Sequence, residues 1–193
     1  MNRSFLDRLV SATGAIVGVV LLAAAALLFF AHSYVHGQVT DQLKEQQITF
    51  PAAGSKAITS LPQADRAEIT KYAGQTMTNG AQARAFADHY IKVHLSEVAN
   101  GQTYSQVSAK ALANPDNQQL AGQVQTLFRG ETLRGLLLNA YAWDTMAAVA
   151  LIAAWISLVA GVLLLLLALL GLRHARTTPK APAGEPPLEY AAT

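Results

Sequence analysis

Cysteine is absent from this 193-residue chain, which excludes disulfides, thiol nucleophiles and thiolate metal sites. Charge is scarce as well: only 13% of residues are Asp, Glu, Lys or Arg while 52% are hydrophobic, against about 25% charged in ordinary soluble domains. A chain so composed must place much of its length in lipid. No run alternates apolar and polar residues over strand length, so nothing asks for a β-sheet. Clustered basic residues are missing too. Nine Lys/Arg and nine Asp/Glu lie between Asp41 and Asp144, a balanced region without the basic face that nucleic acid requires. The sequence holds no GxSxG elbow, P-loop, HExxH helix or dinucleotide-binding glycine fingerprint. The Asn-x-Ser/Thr pattern occurs once, at Asn2; together with the lack of cysteine this leans towards a bacterial protein.

What is present is two long uncharged runs. From Thr145 to Leu172 there is no ionisable side chain, and at about 1.5 Å per residue that stretch exceeds the roughly 30 Å of a bilayer's hydrocarbon core. The run from Leu9 to Thr40 carries no Asp, Glu, Lys or Arg, and its apolar part ends near Phe30. It reads as a first membrane helix. A cleaved signal peptide is the rival, because Ala31-His32-Ser33 has a small-x-small pattern, but the apolar run is longer than a signal core of about 7–15 residues. Arg3 and Arg8 precede the first run, and Arg173, Arg176 and Lys180 follow the second. Basic flanks stay on the cytoplasmic side, so both termini are expected inside.

The resulting layout is a cytoplasmic N-terminus at 1–8, a first span at 9–33, an extracytoplasmic domain at 34–144, a second span at 145–172 and a disordered, proline-rich cytoplasmic tail at 173–193. The middle domain reads as an all-α bundle. A helix continues out of the first span until Pro51. Ser60-Leu61-Pro62-Gln63 has capping-box spacing and starts a helix that should fade near Thr78-Asn79-Gly80. Residues 81–99 form the next helix, with Ala83, Phe86, Tyr90 and Val93 on one face and Arg84, Asp88 and Lys92 as a solvated charge ladder on the other. Asn100-Gly101 ends it, Thr103-Tyr104-Ser105-Gln106 is a second capping box, and Asn114-Pro115 opens a long helix running through the second span. Its outer half carries Leu120, Val124, Leu127, Phe128, Gly135, Leu138 and Ala142 as an apolar stripe.

Four sets of residues stand out. Gly14-Ala15-Ile16-Val17-Gly18 is a GxxxG pattern, answered in the second span by Ala153, Ser157 and Gly161; small residues at this spacing let two backbones approach. Chance in an Ala- and Gly-rich run is the alternative. His32 and His36 stand at i, i+4 where the first span leaves the membrane, with Asp144 at matching depth on the second; the set could hold a divalent metal, or join Tyr34, Tyr141 and Trp143 in an interfacial belt. Glu131 falls within the apolar stripe, where an unpaired carboxylate is costly, with Arg134 and Arg129 as local partners. His89 and His94, five apart, do not share a helix face.

The stretch from Gln125 to Trp143 resembles a group of small two-span membrane proteins from actinobacteria such as mycobacteria and streptomycetes. The resemblance implies a helical extracytoplasmic domain between two spans. Some members of that group carry a ring-cleaving dioxygenase label; a non-haem iron site would want two His and a carboxylate, and only His32, His36 and Asp144 offer them. The layout is also similar to bacterial sensor ectodomains but lacks a cytoplasmic transmitter. The expectation is a non-catalytic membrane protein, an accessory or scaffold subunit of the cell envelope, with membrane lipid and a protein partner or second copy around it, no nucleic acid and no cofactor. A transmembrane ligand sensor is the second reading, and a metal-dependent membrane enzyme the third.

Overall fold

The computed structural model describes residues 3–177; of the tail expected to be disordered from 173, residues 173–177 belong to the last helix and the remainder, from 178 onward, lies outside the described residues. The described chain is mostly helical and contains no strand. In order come α1 (Arg3–Glu45), α2 (Lys56–Thr59), α3 (Gln63–Thr70), α4 (Gly80–Phe86), a π turn (Ala87–Ile91), α5 (Lys92–Val98), α6 (Tyr104–Ala113) and α7 (Gln118–Thr177). Two of these, α1 and α7, are long and apolar enough to cross a membrane.

The chain divides into two compact units. One pairs α1 as far as Leu27 with α7 from Ala153 onward. Its buried positions are small and recur every seven residues: Ser11, Gly18 and Ala25 on α1, and Ala154, Gly161, Ala168 and Ala175 on α7. A seven-residue repeat keeps one seam facing its partner when two helices wrap left-handedly. Where the two backbones approach, a Cβ on Gly18 would lie 3.1 Å from the Gly161 carbonyl oxygen, and one on Gly161 would lie 3.0 Å from the Gly18 carbonyl oxygen. Gly14 faces Ala168 and Gly171 faces Ser11, so the two segments run antiparallel. Gly14, Gly18 and Gly161 thus lie in the seam, whereas Ala153 and Ser157 are only half-buried beside it. The seam on α7 follows the seven-residue repeat through Ala154, where four-residue spacing had pointed to Ala153 and Ser157.

The other unit, 28–152, holds the remaining elements around one core. Phe50, Ile58, Ile69, Met77, Val107 and Leu127 are its largest fully buried side chains. Phe50 packs edge-on against Phe86 at 5.2 Å between ring centroids. The segment after α1 is clipped to the segment before α4 by Phe50 N–H donating to Gln75 O and Met77 N–H donating to Ile48 O, around an isolated bridge between Thr49 and Thr76.

Several helix ends follow the sequence signals. Thr103 and Gln106 form the expected capping box of α6. Asn100 and Gly101 adopt positive φ, and the Gly101 N–H reaches back to Ser96 O at 2.8 Å, a glycine-terminated helix end. Others differ. Ser60 does not start α3 but ends α2, its backbone N–H bonding back to Lys56 O at 3.1 Å; α3 starts after Pro62 without a side-chain cap bond, and the Arg66 guanidinium takes the nearby Thr59 and Leu61 carbonyls. That helix stops at Thr70 rather than near Thr78. The long helix begins at Gln118, with Asn117 Oδ1 accepting from Leu120 N–H, rather than at Pro115.

The face that α7 buries in this unit is also turned relative to the expected stripe. Leu127 and Leu137 are buried and Leu120, Val124, Arg134, Leu138 and Tyr141 are half-buried, whereas Phe128, Gly135 and Ala142 are exposed. Gly130 lies within this face because a side chain there would collide with Leu95 of α5. Glu131 points outward, its side chain 45% exposed.

Candidate functional site

The densest polar arrangement in the 28–152 unit surrounds Asp144 on α7. The first N–H groups of any helix lack intrahelical acceptors, and at α4 two partners meet that need. Asn79 Oδ1 accepts from Gln82 N–H at 3.0 Å, and Asp144 Oδ2 accepts from Gly80 N–H at 2.9 Å. A carboxylate at a helix N-terminus is electrostatically favoured. Only glycine allows this approach: a Cβ at position 80 would sit 2.6 Å from Asp144 Cβ and 2.9 Å from Tyr141 Cα.

The other oxygen of Asp144, Oδ1, lies 2.7 Å from His36 Nδ1 on α1. One turn earlier on α1, His32 Nδ1 lies 2.8 Å from the Ala147 carbonyl, so His32 donates there. The two imidazoles stack at 5.6 Å between centroids with 11° between their planes. On the far side, Arg84 of α4 donates to the Tyr141 hydroxyl at 2.9 Å, and its guanidinium carbon stands 4.9 Å from that ring's centroid. Asp144 therefore ties α1, α4 and α7 together within a few ångströms.

This geometry joins His32, His36 and Asp144 in one neighbourhood but not as three ligands of one ion. Nitrogen ligands stand about 2.0–2.1 Å from zinc, so two of them cannot be more than about 4.2 Å apart. Near-parallel rings whose Nδ1 atoms both bond to α7 hold their Nε2 atoms roughly a ring spacing apart. The carboxylate is meanwhile shared between His36 and Gly80 N–H. Among the described residues, no group of three or more His, Asp or Glu side chains converges as a metal site requires.

A second network lies further along α7. Arg134 donates from Nη2 to Asp88 Oδ1 at 3.0 Å and from Nη1 to Glu131 Oε2 at 3.4 Å, while Arg84 Nε stands 3.8 Å from Asp88 Oδ2. Burial alone would lower the Arg134 pKa, but its bonds and charge interactions with Asp88 and Glu131 outweigh this and hold it above the ordinary arginine value. Arg129 turns back towards Gln125, whose amide oxygen, correctly oriented, accepts two bonds at 3.1 Å. Arg84, with its side chain 57% exposed, stays on the solvated face as expected, whereas Asp88 turns towards α7. The cause is the π turn, a wide helical turn often found where side chains need re-aiming. It points Asp88 at α7 and the next residue, His89, at Asp65 of α3, at 2.8 Å. His94 bonds instead to the Tyr90 carbonyl, so the two histidines serve different partners.

No family model matches this sequence, and neither does any curated protein or solved structure.

Chemically, then, the Asp144 cluster is a clamp whose Asp144 oxygens and histidine Nδ1 atoms are engaged by other parts of the same chain. Sequence reasoning found His32, His36, Asp144 and the Glu131–Arg134 pair; it placed Gly80 only at a helix end and Asp88 only on a solvated face, missing their bonds to Asp144 and Arg134. The signal for Gly80 was available in principle, as a glycine directly after an Asn cap, but its distant partner was not. Asp144→Ala should destabilise the domain by about 1–3 kcal/mol, because the Gly80 N–H then loses its acceptor. His36→Ala should cost less than about 1 kcal/mol, since that imidazole is 48% exposed and exposed pairs contribute little. Thermal unfolding of both variants in detergent checks the ranking.

Proposed function

We propose that the protein is a two-span integral membrane protein with both termini in the cytoplasm, and that its central domain is a non-catalytic accessory or scaffold module that binds a protein partner in the cell envelope. The observation that carries the membrane reading is the exposure of α1 and α7: in the most apolar window of each, only 11% is buried. The core helix of a soluble protein buries its apolar face. Here Val19, Val20, Leu27, Val149, Ile152, Ile156, Leu166 and Leu170 all face outward, an apolar surface far beyond the few hundred Å² that soluble monomers expose. Lipid is the medium in which such a surface is stable. Basic residues flanking the two runs support the orientation.

The accessory reading is supported by what the central domain does with its polar and apolar groups. Its clustered acids, bases and histidines bond one another, as a module built to hold shape would require. Outward on α6 and α7 it presents Leu112, 81% exposed, and Phe128, against which Tyr104 packs at 6.0 Å. Exposed apolar and aromatic groups of this kind anchor protein interfaces. Gentle detergent extraction should recover the chain with a stoichiometric partner, and Leu112→Asp combined with Phe128→Asp should release it. Recovery of the wild-type chain as a lone monomer would contradict the accessory role.

A further inference from the structure

We propose that the groove between α1 and α7 in the 28–152 unit holds the acyl chain of a membrane lipid, an inference that rests on the two-span placement above. Two adjoining cavities, about 280 and 270 Å³, share Val39, Gln42, Asn139 and Trp143 and form one open groove. Its floor is apolar and buried, made by Val39, Leu43 and Leu137, while Leu136 and Trp143 stand exposed along its walls. With a methylene group taken as about the size of a water molecule, roughly 30 Å³, each cavity has room for on the order of ten carbons.

The lining chemistry selects the occupant. No Asp, Glu, Lys, Arg or His lines either cavity; the polar groups are the carboxamides of Gln38, Gln42, Gln46 and Asn139 and the Tyr34 phenol. Pairing between helices is ordinarily steered by flanking charges, and this groove offers none to a peptide or to a second copy of the chain. Neutral amides beside a hydrocarbon floor suit an ester carbonyl or a glycerol hydroxyl above an acyl chain. The same faces continue into the uncharged runs: on α7 the series Leu136, Trp143, Ala150 recurs every seven residues, as does Gln42, Val35, Leu28 on α1. Next to Trp143, Met146 and Val149 are exposed. An acyl chain can therefore pass sideways from the bilayer into the groove without meeting a charge. Tyr34 and Trp143 stand at the transition, where amphipathic rings are favoured.

The experiment uses the full chain in phosphatidylcholine–phosphatidylglycerol vesicles doped with a phospholipid carrying a diazirine at mid-chain, with labelled peptides mapped by mass spectrometry after illumination. Label is expected on the peptides bearing Gln42 and Leu136 as well as on the spans. Ala140→Trp, which fills the groove, and Leu136→Asp, which puts a charge on an exposed wall, should each reduce groove labelling roughly tenfold, the factor for about two methylene groups losing their burial. Span labelling should not change. Groove peptides labelled no more than the Leu112 peptide, or labelling indifferent to both variants, would overturn the lipid site while leaving the two-span placement standing. Unlabelled spans would overturn the placement itself and this proposal with it.

Discussion

Gly80→Ala is expected to lower the unfolding free energy of the central domain by about 3 kcal/mol, at the upper end of the range for overpacking a tight contact. The added methyl group would meet Asp144 Cβ at 2.6 Å and the backbone of Tyr141 at 2.9 Å. Neither obstacle is the movable end of a long side chain, so α4 must back away from α7. Backing away breaks the Gly80–Asp144 bond as well. In thermal unfolding followed by circular dichroism, the midpoint should fall by about 10 °C or more. Gly135→Ala is the control. Nothing lies within 4 Å of a Cβ there, and replacing an exposed helical glycine by alanine should stabilise by about 0.5–1 kcal/mol. Equal effects at both positions would show that helix propensity, and not the close approach of α4 to α7, governs Gly80.

Leu127→Ala should destabilise by about 2–5 kcal/mol, the usual range for truncating a buried leucine. Its neighbour Phe128 is the test of which face α7 buries. Leu127 is 2% exposed and Phe128 54% exposed, so Phe128→Ala should change unfolding by less than about 1 kcal/mol, although phenylalanine is the larger residue. A larger loss at 128 than at 127 in the same unfolding measurement would place the buried face where the simple apolar stripe put it.

That contrast shows what the sequence could and could not convey. Helix class, the two uncharged runs and the Thr103 and Gly101 helix ends were legible because each depends on composition or on residues within four of one another. The buried face of α7 was not legible. It includes Arg134 and Asp144, whose burial is compensated by Asp88, His36 and Gly80 from elements 46 to 108 residues away. Reading apolar residues alone shifts the stripe towards Phe128 and Gly135 and sweeps Glu131 into it. The π turn was equally hidden: it is one added residue in a helical turn with no local sequence mark, yet it decides that Asp88 faces α7. In the two long apolar helices, small residues were plain to see, but several registers of Ala and Gly satisfy four-residue spacing, and the close backbone approach at Gly18 and Gly161 selects a seven-residue one.

The central claim is that this chain crosses the membrane twice and exposes its middle domain outside the cytoplasm. Because it has no cysteine, single-cysteine labelling reads this directly. Ala53→Cys in the loop before α2 and Thr177→Cys at the end of α7, both at exposed positions, are treated with a membrane-impermeant maleimide in intact cells. The account predicts that position 53 reacts at once and position 177 only after permeabilisation; protection of position 53 in intact cells would contradict it.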